Sequence, residues 1–310
     1  MKFDIPILVI AFNRPQSTKK VFDKIRELKP KDLCIAVDGP RNNNPEDLIN
    51  CENVRDILSN IDWECNVKTL FRDKNLGCKM GVSSSIDWFF QNVEEGIILE
   101  DDCIPDPSFF QYCAQLLKMF RDDNRIFSIS GSNTLGEWKS DTQDYHFTQH
   151  VDVWGWASWR RAWKYFDIKM EDWSDPDVRH HIKKMIGNDI LYKQKMKHFN
   201  ATYGGKIDTW DHQWVFAHYK YSALSIVPSV NLISNIGFGI DATHTKFFYP
   251  NISNKEVHNI HTPLRINPHI VVDRAYDIQV TKYLSSLRIK NIFGLKFLRS
   301  VFDYLQSFFR

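Results

Sequence analysis

Apolar runs and amphipathic helical patterns alternate through the first 130 residues, and this order limits the folds open to the chain. Each run is short and almost continuously apolar, which predicts strands that are buried on both faces. The predicted strands are 5–11, 33–37, 67–71, 97–99 and 126–129. Three of the intervening helical patterns have a proline near their first position, where its missing N–H costs nothing. Repeated β–α order predicts an α/β fold with a doubly wound, mostly parallel sheet.

Polar residues follow four of these strands. In a doubly wound sheet the right-handed crossovers bring these strand ends to one edge, where ligands bind. The residues concerned are Asn13 and Arg14, Asp38, Arg72, and the triplet Glu100-Asp101-Asp102. Adjacent carboxylates repel one another, and a hard divalent cation would relieve that repulsion and bring substrate phosphates with it. The triplet therefore predicts a platform for a metal-bound nucleotide diphosphate; a solvated acidic turn is the alternative.

Composition and charge exclude several classes of protein. The net charge of +2, from 40 basic and 38 acidic residues, is not the footprint of a nucleic-acid-binding protein. Neither a GxGxxG fingerprint nor a P-loop is present. The six cysteines form no CxxC pair and predict free thiols in a reducing compartment. No signal-peptide pattern and no apolar stretch of ~20 residues is found, so we expect a cytoplasmic protein.

The second half of the chain has a different character. Residues 153–163 hold four tryptophans, and a polar helical pattern covers about 176–200. We therefore expect the chain to divide into two halves of one domain, 1–135 and 136–250. A C-terminal extension would occupy 251–310.

The most specific stretch runs from Gly77 to Gly81 and on through Ile97 to Asp102, with Pro105 and Phe109-Phe110 after it. It resembles the GT-A class of nucleotide-sugar glycosyltransferases. Within that class it is most similar to the branch with the Golgi N-acetylglucosaminyltransferase that initiates complex N-glycans, and to bacterial polysaccharide relatives. The resemblance covers about 4–245. It implies a GT-A-like sheet with a C-terminal acceptor-side region, and inverting, metal-dependent transfer from a UDP-sugar to a surface-glycan or lipid-linked oligosaccharide acceptor.

The resemblance also implies that 1–135 is the nucleotide-sugar-binding half and 136–250 the acceptor-binding, catalytic half, and it implies roles for individual residues. Asp102 and His244 would hold Mn²⁺ or Mg²⁺. Asp211, or else Asp208, would be the general base. The donor nucleotide would lie among Ala11, Phe12, Asn13, Arg14, Asp38, Arg72, Asn75, Lys79, Glu100 and Asp101. Trp154 and Trp156 would form the wall of the acceptor site.

Structural roles compete with several of these assignments. Asp38 and Asn75 are also typical turn residues, and Asp211 could cap a helix that starts at His212. A tryptophan cluster such as the one at Trp154 and Trp156 is usually packing.

Two other functions stay open. One is a sugar nucleotidyltransferase, which needs a Gly-rich turn bearing Arg or Lys after the first strand; Ala11 to Pro15 does not supply that pattern. The other is a nucleotide- or carbohydrate-binding module without activity.

The last 25 residues predict a basic amphipathic helix. Such a helix suits the anionic inner face of a membrane, as a peripheral contact. The alternative is that its apolar stripe docks on the domain or on a second subunit, which would make a homodimer.

Overall fold

The computed structural model describes residues 2–238 and 254–286. The strands are β1 (Ile7–Ala11), β2 (Asp32–Val37), β3 (Asn66–Phe71), β4 (Glu95–Glu100), β5 (Cys103–Pro105), β6 (Ile126–Ser130), β7 (Tyr145–Thr148), β8 (Trp156–Trp159), β9 (Leu224–Pro228) and β10 (Ile233–Asn235). The helices are α1 (Pro15–Leu28), α2 (Pro45–Ser59), α3 (Gly77–Asn92), α4 (Pro107–Met119), α5 (Arg160–Trp163), α6 (Pro176–Ile186), α7 (Asp189–Tyr203) and α8 (Asp211–Lys220).

Eight strands form one sheet in the order β3-β2-β1-β4-β8-β6-β9-β7. The first four are mutually parallel, β8 is antiparallel to both β4 and β6, and β9 is parallel to β6. All the predicted strands therefore run in one direction and end at the same edge. A small antiparallel pair, β5 with β10, lies outside this sheet. The predicted doubly wound, mostly parallel α/β fold is confirmed.

The two faces of β1 explain why its apolar run is continuous. Ile7 and Val9 pack in the layer that contains α1, α2 and α4, whereas Leu8 and Ile10 pack in the layer of α3, α5 and α8. Every residue of β1 is buried. A strand covered by helices on both faces cannot show the polar alternation of a half-exposed strand.

The polar helical pattern of about 176–200 is two helices rather than one. Gly187 ends α6 with a positive φ of 61°, and Asn188 caps α7 by accepting a hydrogen bond from Leu191 N at 3.0 Å. A left-handed glycine followed by an asparagine cap is a favourable way to end one helix and begin the next.

The chain divides into two units, Met1–Val272 and Asp273–Arg310. In the second unit, residues 274–286 are helical. The three-part division of the chain stays a prediction, and most of the predicted basic C-terminal helix lies outside the described residues. Among the helices that are described, none has the length and apolar character needed to cross a membrane.

The surroundings of His218, on α8, predict how the free energy of unfolding depends on pH. Its Nδ1 lies 2.9 Å from the Trp214 carbonyl oxygen and its Nε2 lies 3.1 Å from Ser128 Oγ. Burial lowers the pKa of His218 to about 4. The unfolded chain, with an imidazole pKa of ~6.5, binds a proton that the folded chain excludes, so the free energy of unfolding falls as pH falls through this window.

Between pH 6.5 and 4, His218 should lower the free energy of unfolding by ~1.4 kcal/mol for each unit by which the pH falls. His218 is one of the buried histidines that contribute in this window. Urea titrations across that window give the slope of the unfolding free energy against pH. His218→Asn should reduce this slope by up to the amount that the binding of one proton contributes. The exposed His180, changed to Asn, is the control and should leave the slope unchanged. An equal slope in His218→Asn and in the unmodified protein would contradict the assignment.

Candidate functional site

Arg14 and two aspartates form the centre of the carboxyl-end edge of the sheet. Arg14 comes just before α1, and Asp101 and Asp102 follow β4. The guanidinium bonds Asp101 Oδ1 through Nη2, and its Nη1 donates to Asp102 Oδ2 at 2.9 Å. Burial lowers the pKa of Arg14, but the two carboxylates outweigh it and raise the pKa above its usual range. Arg14 is therefore a permanent cation at the point where β1 and β4 end.

The two aspartates differ in their access to solvent. The Asp101 side chain is 2% exposed, and its second oxygen accepts a hydrogen bond from Phe12 N at 3.2 Å. The Asp102 side chain is 15% exposed, and its Oδ1 accepts from Asn235 Nδ2 at 3.4 Å. The chain at Gly237 passes so close that a Cβ there would overlap Asp102 Oδ2. Asp101 is thus the buried partner of Arg14, and Asp102 is the more exposed partner.

Further acidic groups surround Cys78, at the start of α3. Burial first, and then the charges of Glu100, Asp211 and Asp208, raise the pKa of the Cys78 thiol. Burial and the charges of Asp102 and Asp101 raise the pKa of Glu100 as well.

The two downstream aspartates reach the same place from a distant part of the chain. Asp208 Oδ2 would lie 3.0 Å from a Cβ on Gly77, and Asp211 accepts a hydrogen bond from Thr209 Oγ1. Asp211 is the first residue of α8, and Trp210, not Asp211, is at the N-cap position.

The Asp38 carboxylate is hydrogen-bonded to the turn that follows β3. Its carboxylate accepts hydrogen bonds from Gly39 N at 3.0 Å, Leu76 N at 3.0 Å and Asn75 Nδ2 at 2.9 Å. Burial raises the pKa of Asp38 in spite of these donors. The turn role that competed with nucleotide binding for Asp38 and Asn75 is therefore present in the structure.

Phe12 and Asn13 are half-buried, and they lie beside Arg41 and Asp47, which the sequence did not suggest. The Arg41 guanidinium lies 5.5 Å from the centre of the Phe12 ring. Asp47 accepts from Asn13 Nδ2 at 2.7 Å and from Arg41 Nε at 2.6 Å, and these bonds lower its pKa, with that of Arg41 as the main cause. The pattern Asn44-Pro45-Glu46-Asp47 predicts a helix start, and in the structure Asp47 also holds Asn13 and Arg41 together.

The remaining predicted donor residues lie around the same edge. Arg72 donates to Ser85 Oγ at 3.0 Å and Ser84 Oγ at 2.8 Å, so its guanidinium is directed at α3. Lys79 is half-buried in the first turn of α3, and Ala11 is buried at the end of β1. His244 lies outside the described residues.

The two tryptophans assigned to the acceptor site have different surroundings in the structure. Trp154 is half-buried and its ring meets Phe238 edge to face at 5.6 Å. Trp156 is 1% exposed and packs against Trp210 and Trp214, each at 5.8 Å between ring centres. The prediction for Trp156 is corrected, because a ring enclosed in the core cannot form the wall of an open site.

A metal ion fits this edge in one limited way. Within 2–238 and 254–286, no three His, Cys, Asp or Glu side chains are grouped so that they could hold a metal by themselves. Mg²⁺, however, is usually bound through one or two carboxylates together with substrate phosphates. Asp102, whose side chain is partly exposed, is suited to that arrangement.

No family model matches the chain, and neither does any curated protein. Among solved structures, 4-diphosphocytidyl-2C-methyl-D-erythritol synthase from Anaerococcus prevotii is similar, with 10% identity and a TM-score of 0.30 over 51% of this chain and 72% of that one. HddC from Yersinia pseudotuberculosis has 5% identity and a TM-score of 0.30 over 55% and 80%. The inositol-1-phosphate CTP transferase from T. maritima has 9% identity and a TM-score of 0.31 over 56% and 76%.

These comparisons correct the main functional expectation. Two of the similar structures are described as a diphosphocytidyl-compound synthase and a CTP transferase, and none of the three is described as a glycosyltransferase. What remains of the resemblance to the GT-A class is the α/β fold. The prediction of UDP-sugar glycosyl transfer is withdrawn, and with it the role of Asp211 or Asp208 as the base for that reaction.

Proposed function

We propose that the chain is a nucleotidyltransferase, which joins a nucleoside triphosphate to a phosphorylated sugar or polyol and releases pyrophosphate. The observation that carries the proposal is the position of Arg14. The turn after β1 has no glycine, but it holds a guanidinium fixed against Asp101 and Asp102. Arg14 would take the part of the basic residue that this class carries in that turn. The proposal rests on the geometry of this site.

The triphosphate would lie where α1 begins. Helix N-termini favour anions, because the first amide N–H groups have no partner within the helix. Arg14 lies at the same point, where its charge offsets part of the negative charge of Asp101 and Asp102, and a guanidinium can bind phosphate oxygens in pairs. The half-buried ring of Phe12, with Arg41 beside it, would support the base at the end of β1.

In the proposed reaction a phosphate oxygen of the second substrate attacks the α-phosphorus of the nucleotide. A new P–O bond forms, the bond between the α-phosphorus and the bridging oxygen breaks, and its electron pair leaves with pyrophosphate. Arg14 would stabilise the charge that develops on the phosphates, while Asp101 keeps its guanidinium oriented. A divalent cation held through Asp102 would neutralise the leaving pyrophosphate.

Pyrophosphate release tests this function. The protein is incubated with Mg²⁺, one of CTP, UTP, GTP, ATP or dTTP, and a panel of sugar and polyol phosphates. We expect pyrophosphate to appear with at least one pair, and ³¹P NMR to show the matching product, in which a nucleoside diphosphate carries the sugar or polyol. Addition of pyrophosphate to that product should regenerate the triphosphate. Release of UDP from a UDP-sugar, with no pyrophosphate formed from any triphosphate, would contradict the proposal.

A further inference from the structure

Four polar side chains from three segments meet beyond the carboxyl end of β6, and we name them the β6 polar cluster: Thr134, His150, Asp152 and Lys255. Thr134 Oγ1 lies 3.2 Å from His150 Nε2 and 3.5 Å from Asp152 Oδ2. Lys255 Nζ donates to the main-chain oxygens of Thr134 and, at 3.2 Å, of Asn133. None of these residues is needed to form the sheet, and three of them are only partly buried.

The cluster lies next to the nucleotide end of the site. Trp154 N donates to Asp152 Oδ1 at 3.1 Å, and the Trp154 ring meets the Phe238 ring edge to face at 5.6 Å. Phe238 follows Gly237, where the chain passes against Asp102 Oδ2. Asp152 is thus linked to Asp102 through Trp154 and the segment at Gly237.

The chemistry of the cluster suits a ligand that has both hydroxyl groups and negative charge. Burial, with the charges of Lys195 and Lys255, lowers the pKa of His150 to about 3, so its imidazole is neutral. A neutral imidazole and a carboxylate can accept hydrogen bonds from hydroxyl groups. Lys255 supplies positive charge on the same side.

Asp152 is also held in a fixed position. Its Oδ1 accepts a hydrogen bond from Trp154 N at 3.1 Å, and the Ser132 side chain bonds the same carboxylate. The half-buried Trp154 ring comes next along the chain, and an indole face packs well against the apolar face of a sugar ring.

We propose that the β6 polar cluster binds the second substrate, a phosphorylated sugar or polyol, with Asp152 and His150 on its hydroxyl groups and Lys255 on its phosphate. The inference rests on the proposed nucleotidyl transfer, and it names the side of the site from which the attacking phosphate comes.

Calorimetry on the full chain tests it. The protein is saturated with Mg²⁺ and the α,β-methylene analogue of the nucleotide that it binds best. It is then titrated with glucose 1-phosphate, N-acetylglucosamine 1-phosphate, inositol 1-phosphate and inorganic phosphate. Asp152→Asn should weaken binding of the best sugar or polyol phosphate by about 10- to 100-fold, the range of a hydrogen bond to a charged group, and leave inorganic phosphate unaffected. Lys255→Met should weaken both by roughly tenfold.

The crossed pattern distinguishes binding from structural damage, because a misfolded site would lose all its ligands together. Asp141→Asn, an exposed aspartate of the segment before β7, is the matched control and should change nothing. If the nucleotide binds but no sugar or polyol phosphate does, or if Asp152→Asn binds them as the unmodified protein does, this inference is wrong. If no nucleotide binds the unmodified protein, the proposed function itself is wrong.

Discussion

Asp102→Asn is expected to abolish metal-dependent nucleotide binding. Asp102 is the more exposed aspartate of the pair, and an amide is a much weaker ligand for Mg²⁺ than a carboxylate. We expect the dissociation constant for the magnesium complex of CTP or UTP, measured by calorimetry, to rise by ~100-fold or more, about 2.7 kcal/mol. Nucleotide binding without metal should be equally weak in both proteins.

The fold should survive this change. An asparagine keeps the shape of Asp102, and the buried pair of Arg14 with Asp101 remains. Asp62→Asn is the matched control, because its carboxylate is 65% exposed and lies 3.7 Å from Arg26 in a surface pair of little energetic value. A variant at 102 that binds magnesium-CTP and magnesium-UTP as tightly as the unmodified protein would remove Asp102 from the metal site.

Arg14→Met is expected to cause the largest loss of stability at the site. Removing the guanidinium leaves the Asp101 carboxylate, which is 2% exposed, without its charged partner. Breaking a buried ion pair from one side costs ~3–5 kcal/mol, because an uncompensated charge stays in the interior. We expect a correspondingly lower urea midpoint, together with loss of nucleotide binding. Arg125→Met, which removes a 62% exposed arginine from a surface pair with Asp123, should have little effect on either.

A double variant separates the two consequences. Arg14→Met combined with Asp101→Asn should recover most of the lost stability, because the buried charge is gone, but it should not recover nucleotide binding. Arg14→Lys should be intermediate in both stability and nucleotide binding, since an ammonium cannot bridge two carboxylates as a planar guanidinium does. Equal urea midpoints for Arg14→Met and the unmodified protein would show that the pair is not a buried, stabilising one.

The predicted strands agree with the structure to within a few residues. The run 97–99 is the centre of β4, which extends from Glu95 to Glu100, and the run 5–11 contains β1. Buried parallel strands are recognisable because both faces must be apolar, so the signal needs no tertiary information. The insertion of β8, antiparallel between β4 and β6, was not predicted, because strand order depends on long-range pairing.

The site was predictable where it follows strands directly. Arg14, Asp38 and the triplet at Glu100 to Asp102 all lie at the edge that the β–α order indicated. The contact of Asp47 with Arg41 was not predicted, since the sequence places Asp47 only in the first turn of α2. His150, Asp152 and Lys255 were missed as well. They lie outside regular elements, and no local pattern links them.

The sequence by itself determined the class of fold and the edge of the sheet at which the polar strand ends meet. Both follow from a local rule: a strand that is covered on both faces is apolar throughout, and its polar residues come where it ends. Only the tertiary structure decided what those residues contact. It paired Arg14 with Asp101 and Asp102, enclosed Trp156 in the core and brought Asp208 to Gly77. The charge and the solvent exposure of a side chain depend on neighbours that are distant in the sequence, and only folding brings those neighbours together.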